Sequence, residues 1–165
     1  MNWSNTIRQE FEQRVFKESY PRIEKCLNTI TDEQLWLAPN ENMVSIGCLI
    51  KHLLGNAQQW VYQGVLGNAY QRNRDAEFDP EITVSKDDLL KKMKAVEVEM
   101  AAALKSLSEE QLEQNLVIQG FETTGFSAII HVIEHFSYHT GQISLLTKMF
   151  QNVDLDYYGN YDLDV

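Results

Sequence analysis

Apolar residues recur every three or four positions along most of the chain, and the stretches that keep this spacing predict four long helices. The first runs from about Trp3 to Ile30, with Ile7, Phe11, Val15, Ile23, Leu27 and Ile30 on one inner stripe. Pro21 lies inside it, lacks a backbone N–H, and is expected to kink or locally break the helix. Thr31-Asp32-Glu33-Gln34 reads as a turn with a fresh cap, and Leu35-Trp36 opens a short connection ending at Pro39-Asn40. Ser45 caps the second helix, Ile46 to Leu66, which Gly67 closes. Residues 67–84 are polar and aperiodic and read as a long crossover loop. Ser85-x-x-Asp88 resembles a capping box with Asp in place of Glu, and it opens the third helix, which extends to about Leu107. Ser108-Glu-Glu-Gln-Leu adds a short turn, and Leu116-Val117-Ile118 a brief extended piece before Gly120. The last helix spans about Thr124 to Phe150. Four amphipathic helices, one long crossover and almost no strand signal predict an all-α four-helix bundle over residues 1–150. An acidic, Tyr-rich tail follows over residues 151–165, and its pattern assigns it no conformation.

Composition and charge narrow the partners. With 44% hydrophobic and 23% charged residues in 165, the chain has the balance of one globular domain that buries its own core. No apolar run reaches the roughly 18–20 residues that span a bilayer, and the N-terminus lacks the apolar stretch of a secretory signal. Cys26 and Cys48 have neither metal-type spacing nor disulfide-scaffold density, so a reduced, cytoplasmic protein is expected. There are 24 acidic against 14 basic residues, a net charge of −10. The densest basic patch, Lys91-Lys92-x-Lys94, is interleaved with Asp87, Asp88, Glu97 and Glu99, the pattern of a solvated helix face. Neither nucleic acid nor membrane is an expected partner.

The candidate chemistry lies in the four histidines, three of which, His131, His135 and His139, stand four apart on the last helix. With His131 set at 0°, His135 falls at about 40° and His139 at about 80°, within one stripe. The polar residues Glu134, Ser137, Thr140, Gly141, Ser144 and Lys148 occupy the arc from about 180° to 300°. His135 and His139 therefore point into the bundle, and His131 lies at the edge of the apolar face. His52 flanks the core on the second helix, in line with Asn56 and Gln63. Inward imidazoles need partners. Two readings stay open on spacing alone: each ring bonds locally, or several share one ion, since neutral imidazole is a common ligand of divalent metals. His131-Val-Ile-Glu134-His135 also matches the HxxEH pattern of inverted zincins. That site needs a distal acidic ligand and an enclosing cleft, and Glu134 falls in the polar arc.

Two segments carry a resemblance to a known family. They are Ser45-Ile-Gly-Cys-Leu-Ile-Lys-His52-Leu-Leu-Gly-Asn56 and His131-Val-Ile-Glu-His135-Phe-Ser-Tyr-His139-Thr-Gly-Gln142-Ile. The first is similar to the single-histidine helix of the DinB-like superfamily of bacterial metal-binding helix bundles, which includes the YfiT-type proteins. The second, the more specific, is similar to that family's HxxxH segment followed by Gly-Gln-Ile. The resemblance covers nearly the whole chain. It implies an up-down-down-up bundle, often a homodimer, with nickel, zinc or a similar divalent ion on three histidines. Carried over, those are His52, His135 and His139. One common family variant has arginine directly after the last ligand, where this chain has Thr140.

Three protein ligands leave open coordination positions, the arrangement of a catalytic rather than a structural site. Some members of the superfamily resemble thiol-dependent transferases. The leading expectation is thus a metal-dependent transferase that acts on a small electrophile with a low-molecular-weight thiol. A metal-dependent hydrolase and a non-catalytic metal-binding or dimeric interaction protein are the alternatives. Asn56 and Gln142 can orient ligands or substrate, Tyr138 is a candidate proton donor, and no general base is evident. Trp3, Phe16 and Tyr20, with Tyr157, Tyr158 and Tyr161 of the tail, exceed what the inner stripe needs. They are expected to be covered by a second copy or by the tail folding back.

Overall fold

A computed structural model describes residues 2–159, 161, 162 and 164. Four long helices carry the core. The first, α1, comprises Trp3–Phe11, Glu12–Ser19 and Tyr20–Thr29. The short α2 is Asp32–Trp36, and the second long helix, α3, comprises Ile46–Ala57 and Gln58–Val65. Next come the short α4, Asp75–Phe78, and the third long helix, α5, Lys86–Ala103 extended by Leu104–Ser106. The short α6, Glu109–Glu113, precedes a hairpin of β1, Asn115–Ile118, and β2, Phe121–Thr124. The last long helix, α7, is Gly125–Gln151.

Local chemistry accounts for the boundaries. Ser45, Ser85 and Thr124 each accept a hydrogen bond from a backbone N–H three residues on, which satisfies an orphan donor of the first turn. Thr31 with Gln34, and Ser108 with Gln111, form reciprocal capping boxes, so both short turns are helices. Pro21 does not break α1. Over Glu12–Ser19 the ladder widens, with the Tyr20 N–H bonding to Val15 O and the Ser19 hydroxyl to Arg14 O at 2.9 Å. Proline, which cannot donate, then falls in the first turn of the restored α-helix, where a missing N–H costs little.

One expectation gains a partner and another is corrected. The extended piece at Leu116–Ile118 is half of a hairpin, paired antiparallel with Phe121–Thr124. Its two-residue turn has both Gln119 (φ 55°) and Gly120 (φ 83°) left-handed, the conformation whose twist matches a hairpin. The crossover over residues 67–84 is not a featureless loop. It contains α4, and Lys51, a residue only 9% exposed, donates from Nζ to Ala76 O at 2.8 Å and Ile82 O at 3.0 Å.

The long helices meet through a core in which Phe11, Ile23, Leu27, Ile46, Leu53, Met100, Leu104 and Phe136 are fully buried. Tyr20 stacks on Phe136 and Cys26 lies against Ser144, so α1 and α7 run in the same sense. Trp60 meets His131 while His52 meets His139, so α3 and α7 run in opposite senses. No helix of the described residues is long and apolar enough to cross a membrane.

The tail folds back along the same chain. Asn152 takes a left-handed C-cap conformation (φ 50°), and Leu155 then enters the core at 1% exposure. The Tyr157 hydroxyl bonds with Ser144 Oγ at 2.7 Å, and Arg22 donates to the Tyr158 hydroxyl at 2.8 Å. Tyr20 is buried, and Phe16 and Tyr157 pack on the core. Of the surplus aromatics, Trp3 (54%), Tyr158 (50%) and Tyr161 (71%) stay exposed. Leu155→Ala is expected to destabilise the protein by about 2–5 kcal/mol in chemical denaturation, as for other buried leucines. A loss below about 1 kcal/mol, the scale of an ordinary surface substitution, would mean that the tail is not docked.

Candidate metal centre

His52 projects from α3, and His135 and His139 from two successive turns of α7. One ligand nitrogen from each lies within 4.8 Å of the other two, and these three could hold a metal ion. His52 Nε2 and His135 Nε2 are 2.8 Å apart. His139 is orientated by Gln142, whose Oε1 accepts from Nδ1 at 2.6 Å and leaves Nε2 free. An ion about 2.0–2.1 Å from each nitrogen sets donors roughly 3.3 Å apart in a tetrahedral arrangement. The donor set fits such an ion after small side-chain rotations.

His52 is fixed by residues for which the sequence pattern offered no signal. Arg72 and Glu77, both in the crossover, form a buried pair with Nε–Oε1 and Nη2–Oε2 distances of 2.6 Å each. Their side chains are 4% and 8% exposed. Glu77 Oε2 lies 3.0 Å from His52 Nδ1. Arg72 Nη2 also approaches this nitrogen, at 3.1 Å. An unprotonated Nδ1 would nevertheless face the carboxylate lone pair to lone pair, so the proton sits on Nδ1 and donates to Glu77. That leaves Nε2 unprotonated and facing His135, the tautomer a metal ligand needs. Gly55 permits the approach: a Cβ there would lie 2.1 Å from Glu77 Oε1.

The electrostatics suit neutral imidazoles. Burial pushes His135 down to about 3, helped by the neighbouring His139, His52, His131 and Arg72. Burial also lowers His139, although the Gln142 bond opposes it. Burial alone would raise Glu77, but its bonds with Arg72 and His52 and their charges outweigh it, so the carboxyl is held below its ordinary range.

The other candidates fall elsewhere. His131 lies outside the ligand cluster, its ring tilted against Trp60 with ring centres 4.2 Å apart, and Asn56 Nδ2 donates to its Nε2 at 3.3 Å. Glu134 is exposed and lines the groove between α1 and α7 with Ser137 and Gly141, away from the triad, so the HxxEH pattern does not assemble a zincin site. Tyr138 is 64% exposed, with its ring 5.0 Å from that of His139. Thr140, at the family variant's arginine position, is buried.

A family model described as "Protein of unknown function (DUF1572)" matches residues 2–158. Among solved structures, the chain is similar to a DinB-like protein, YjoA, from Bacillus subtilis. The two share 20% identity with a TM-score of 0.68, covering 93% of this chain and 97% of that one. It is also similar to a DinB-like protein from Bacillus cereus ATCC 10987, at 16% identity and TM-score 0.68 over 86% and 91% of the two chains. A conserved protein from Enterococcus faecalis aligns at 15% identity and TM-score 0.63, over 90% and 97%. At these identities the likeness establishes the fold. No curated protein matches the chain.

The shifted groups set a pH dependence for the protein in chelator. His135 is lower folded (about 3) than its ordinary 6.5, so the unfolded chain binds the extra proton and stability falls as pH drops from 6.5 toward 3. Glu77 is held below its ordinary 4.5, so its contribution is present above 4.5 and is lost as pH falls through the lower folded value. Denaturation across this range is expected to show a shallower slope between about pH 6.5 and 4.5 for His135→Asn, and a changed slope only below that for Glu77→Gln. Equal slopes in His135→Asn and the parent would refute the burial of that imidazole.

Proposed function

The chain belongs to the DUF1572 family, which is DinB-like, and from this and the site geometry we propose that His52, His135 and His139 hold one divalent ion, nickel or zinc, at an open centre. The observation that carries the reading is the convergence of three imidazole nitrogens, two of them on rings already fixed through Nδ1 by Glu77 and Gln142. Held by His52, His135 and His139, such an ion would lower the pKa of a bound thiol or polarise a substrate oxygen. The protein is then a metal-dependent transferase that joins a low-molecular-weight thiol to a small electrophile.

The choice of a transferase over a hydrolase rests on Glu77. It is the one carboxylate bonded to a site histidine among the described residues, and Arg72 and His52 occupy it. Glu77 is therefore not free to deprotonate a water, and a thiol, intrinsically far more acidic than water, would be the easier group to ionise at the ion, its proton passing to solvent.

Protein purified without a nickel column is expected to carry about one divalent ion per chain, the stoichiometry of a single three-histidine site. His135→Ala and His139→Ala should abolish binding, His52→Ala should weaken it severely, and His131→Ala should be mild. Glu77→Ala should cost about 10–100-fold in affinity, as other partners behind metal-bound histidines do. Equal dependence on His131 and His139 would overturn the ligand set. In a screen of thiols with small electrophiles, turnover should require the thiol, and turnover with water alone would make the protein a hydrolase. A homodimer belongs to the same reading, supported by the exposed Trp3, Tyr158, Tyr138, Leu145 and Met149. Sedimentation should give about twice 19.1 kDa, and a single species at 19.1 kDa would refute it.

A further inference from the structure

One turn beyond His52 on α3, and one turn before His135 on α7, lies a second polar layer. Asn56 is 4% exposed there, and its Nδ2 donates to His131 Nε2 at 3.3 Å. Trp60 closes the far side, its ring tilted against His131 and its Nε1 donating to Gln119 Oε1 at 3.2 Å. On the near side the His131 ring lies 5.3 Å from that of His135. Asn56 Oδ1 is buried and has no hydrogen-bond partner among the described residues.

The surrounding donors are committed. Asn56 Nδ2 serves His131, Trp60 serves Gln119, and His52 Nδ1 serves Glu77. His139 Nδ1 serves Gln142. A buried amide oxygen without a donor is costly, and an apolar side chain would fill the same volume without that cost. An acceptor kept one helical turn from His52, on a side chain bonded to the histidine whose ring lies 5.3 Å from that of His135, suits a donor carried by an incoming molecule.

We propose that Asn56 Oδ1 accepts a hydrogen bond from an N–H or O–H group of the substrate, set next to the oxygen or sulfur atom that meets the ion. The site then takes small molecules that carry this pair, such as amides and hydroxamic acids. His131 holds the Asn56 side chain in place. The inference rests on the metal-centre reading.

The test uses the full chain loaded with cobalt(II), whose visible spectrum reports ligands at the open position, and two probes. Acetohydroxamic acid carries an N–H beside its chelating oxygens, and N-methylacetohydroxamic acid lacks it. The parent protein should bind the first about tenfold tighter, the scale of one hydrogen bond to a buried acceptor. Asn56→Leu should bind both probes equally while keeping the parent's cobalt affinity within about twofold, a difference too small to be a lost ligand. Equal binding of the probes by the parent protein would overturn the proposal without any variant. So would persistent discrimination by Asn56→Leu, which would trace the difference to the methyl group's bulk. A parallel loss of cobalt affinity in Asn56→Leu would make Asn56 a support for the metal ligands instead. Failure of the parent to take up cobalt at all would remove the metal-centre reading, and the proposal with it.

Discussion

The buried pairing of Arg72 with Glu77, closed against His52, is the contact on which the site depends. Two charges taken out of water are tolerable only with good geometry and satisfied lone pairs. Here both carboxylate oxygens meet the guanidinium, one also receives the His52 proton, and Arg72 Nη1 donates to Gln59 Oε1 at 2.9 Å. The pair joins the crossover to α3, and Lys51 adds two bonds to carbonyls of the same segment. Because the segment is held so closely, the His52 ring has one orientation and one tautomer. Its free nitrogen therefore faces α7.

The same constraint shapes the chemistry. The Arg72 and His52 bonds hold Glu77 ionised and occupied, so among the described residues the one carboxylate bonded to a site histidine is engaged in fixing His52. Burial keeps His135 and His139 in the neutral form that coordinates metal. The apolar core, which runs from Phe11 through Leu53 and Met100 to Phe136, lies among all four long helices and does not use the histidines. Fold and site are thus largely separate. Gly55 is a place where they touch, since a side chain there would displace Glu77.

Much of this was legible from local pattern. The caps at Ser45, Ser85 and Thr124, the inner stripe from Ile7 to Ile30, and the inward pair His135 and His139 follow from side chains a few residues apart on one helix. Such relations need no knowledge of the rest of the chain, because helical geometry sets them. Pro21 was legible as a disturbance but not as a widened turn, since the choice between breaking and widening depends on packing against the neighbouring helices.

Long-range pairing was not legible. Arg72 and Glu77 sit in a polar stretch with no period, and their burial exists only because α3 carries Gly55 and His52 at the matching height. Phe121–Thr124 became a strand through its partner strand and a tight turn, not through a strong signal of its own. Leu155 and Tyr157 found cover that the tail's composition could not announce. The sequence by itself determined the helices, their inner faces and the histidine stripe, because these are periodic and local. Only the tertiary structure decided which buried charges meet and which imidazole nitrogen is free, because those depend on the distance between segments far apart in the chain.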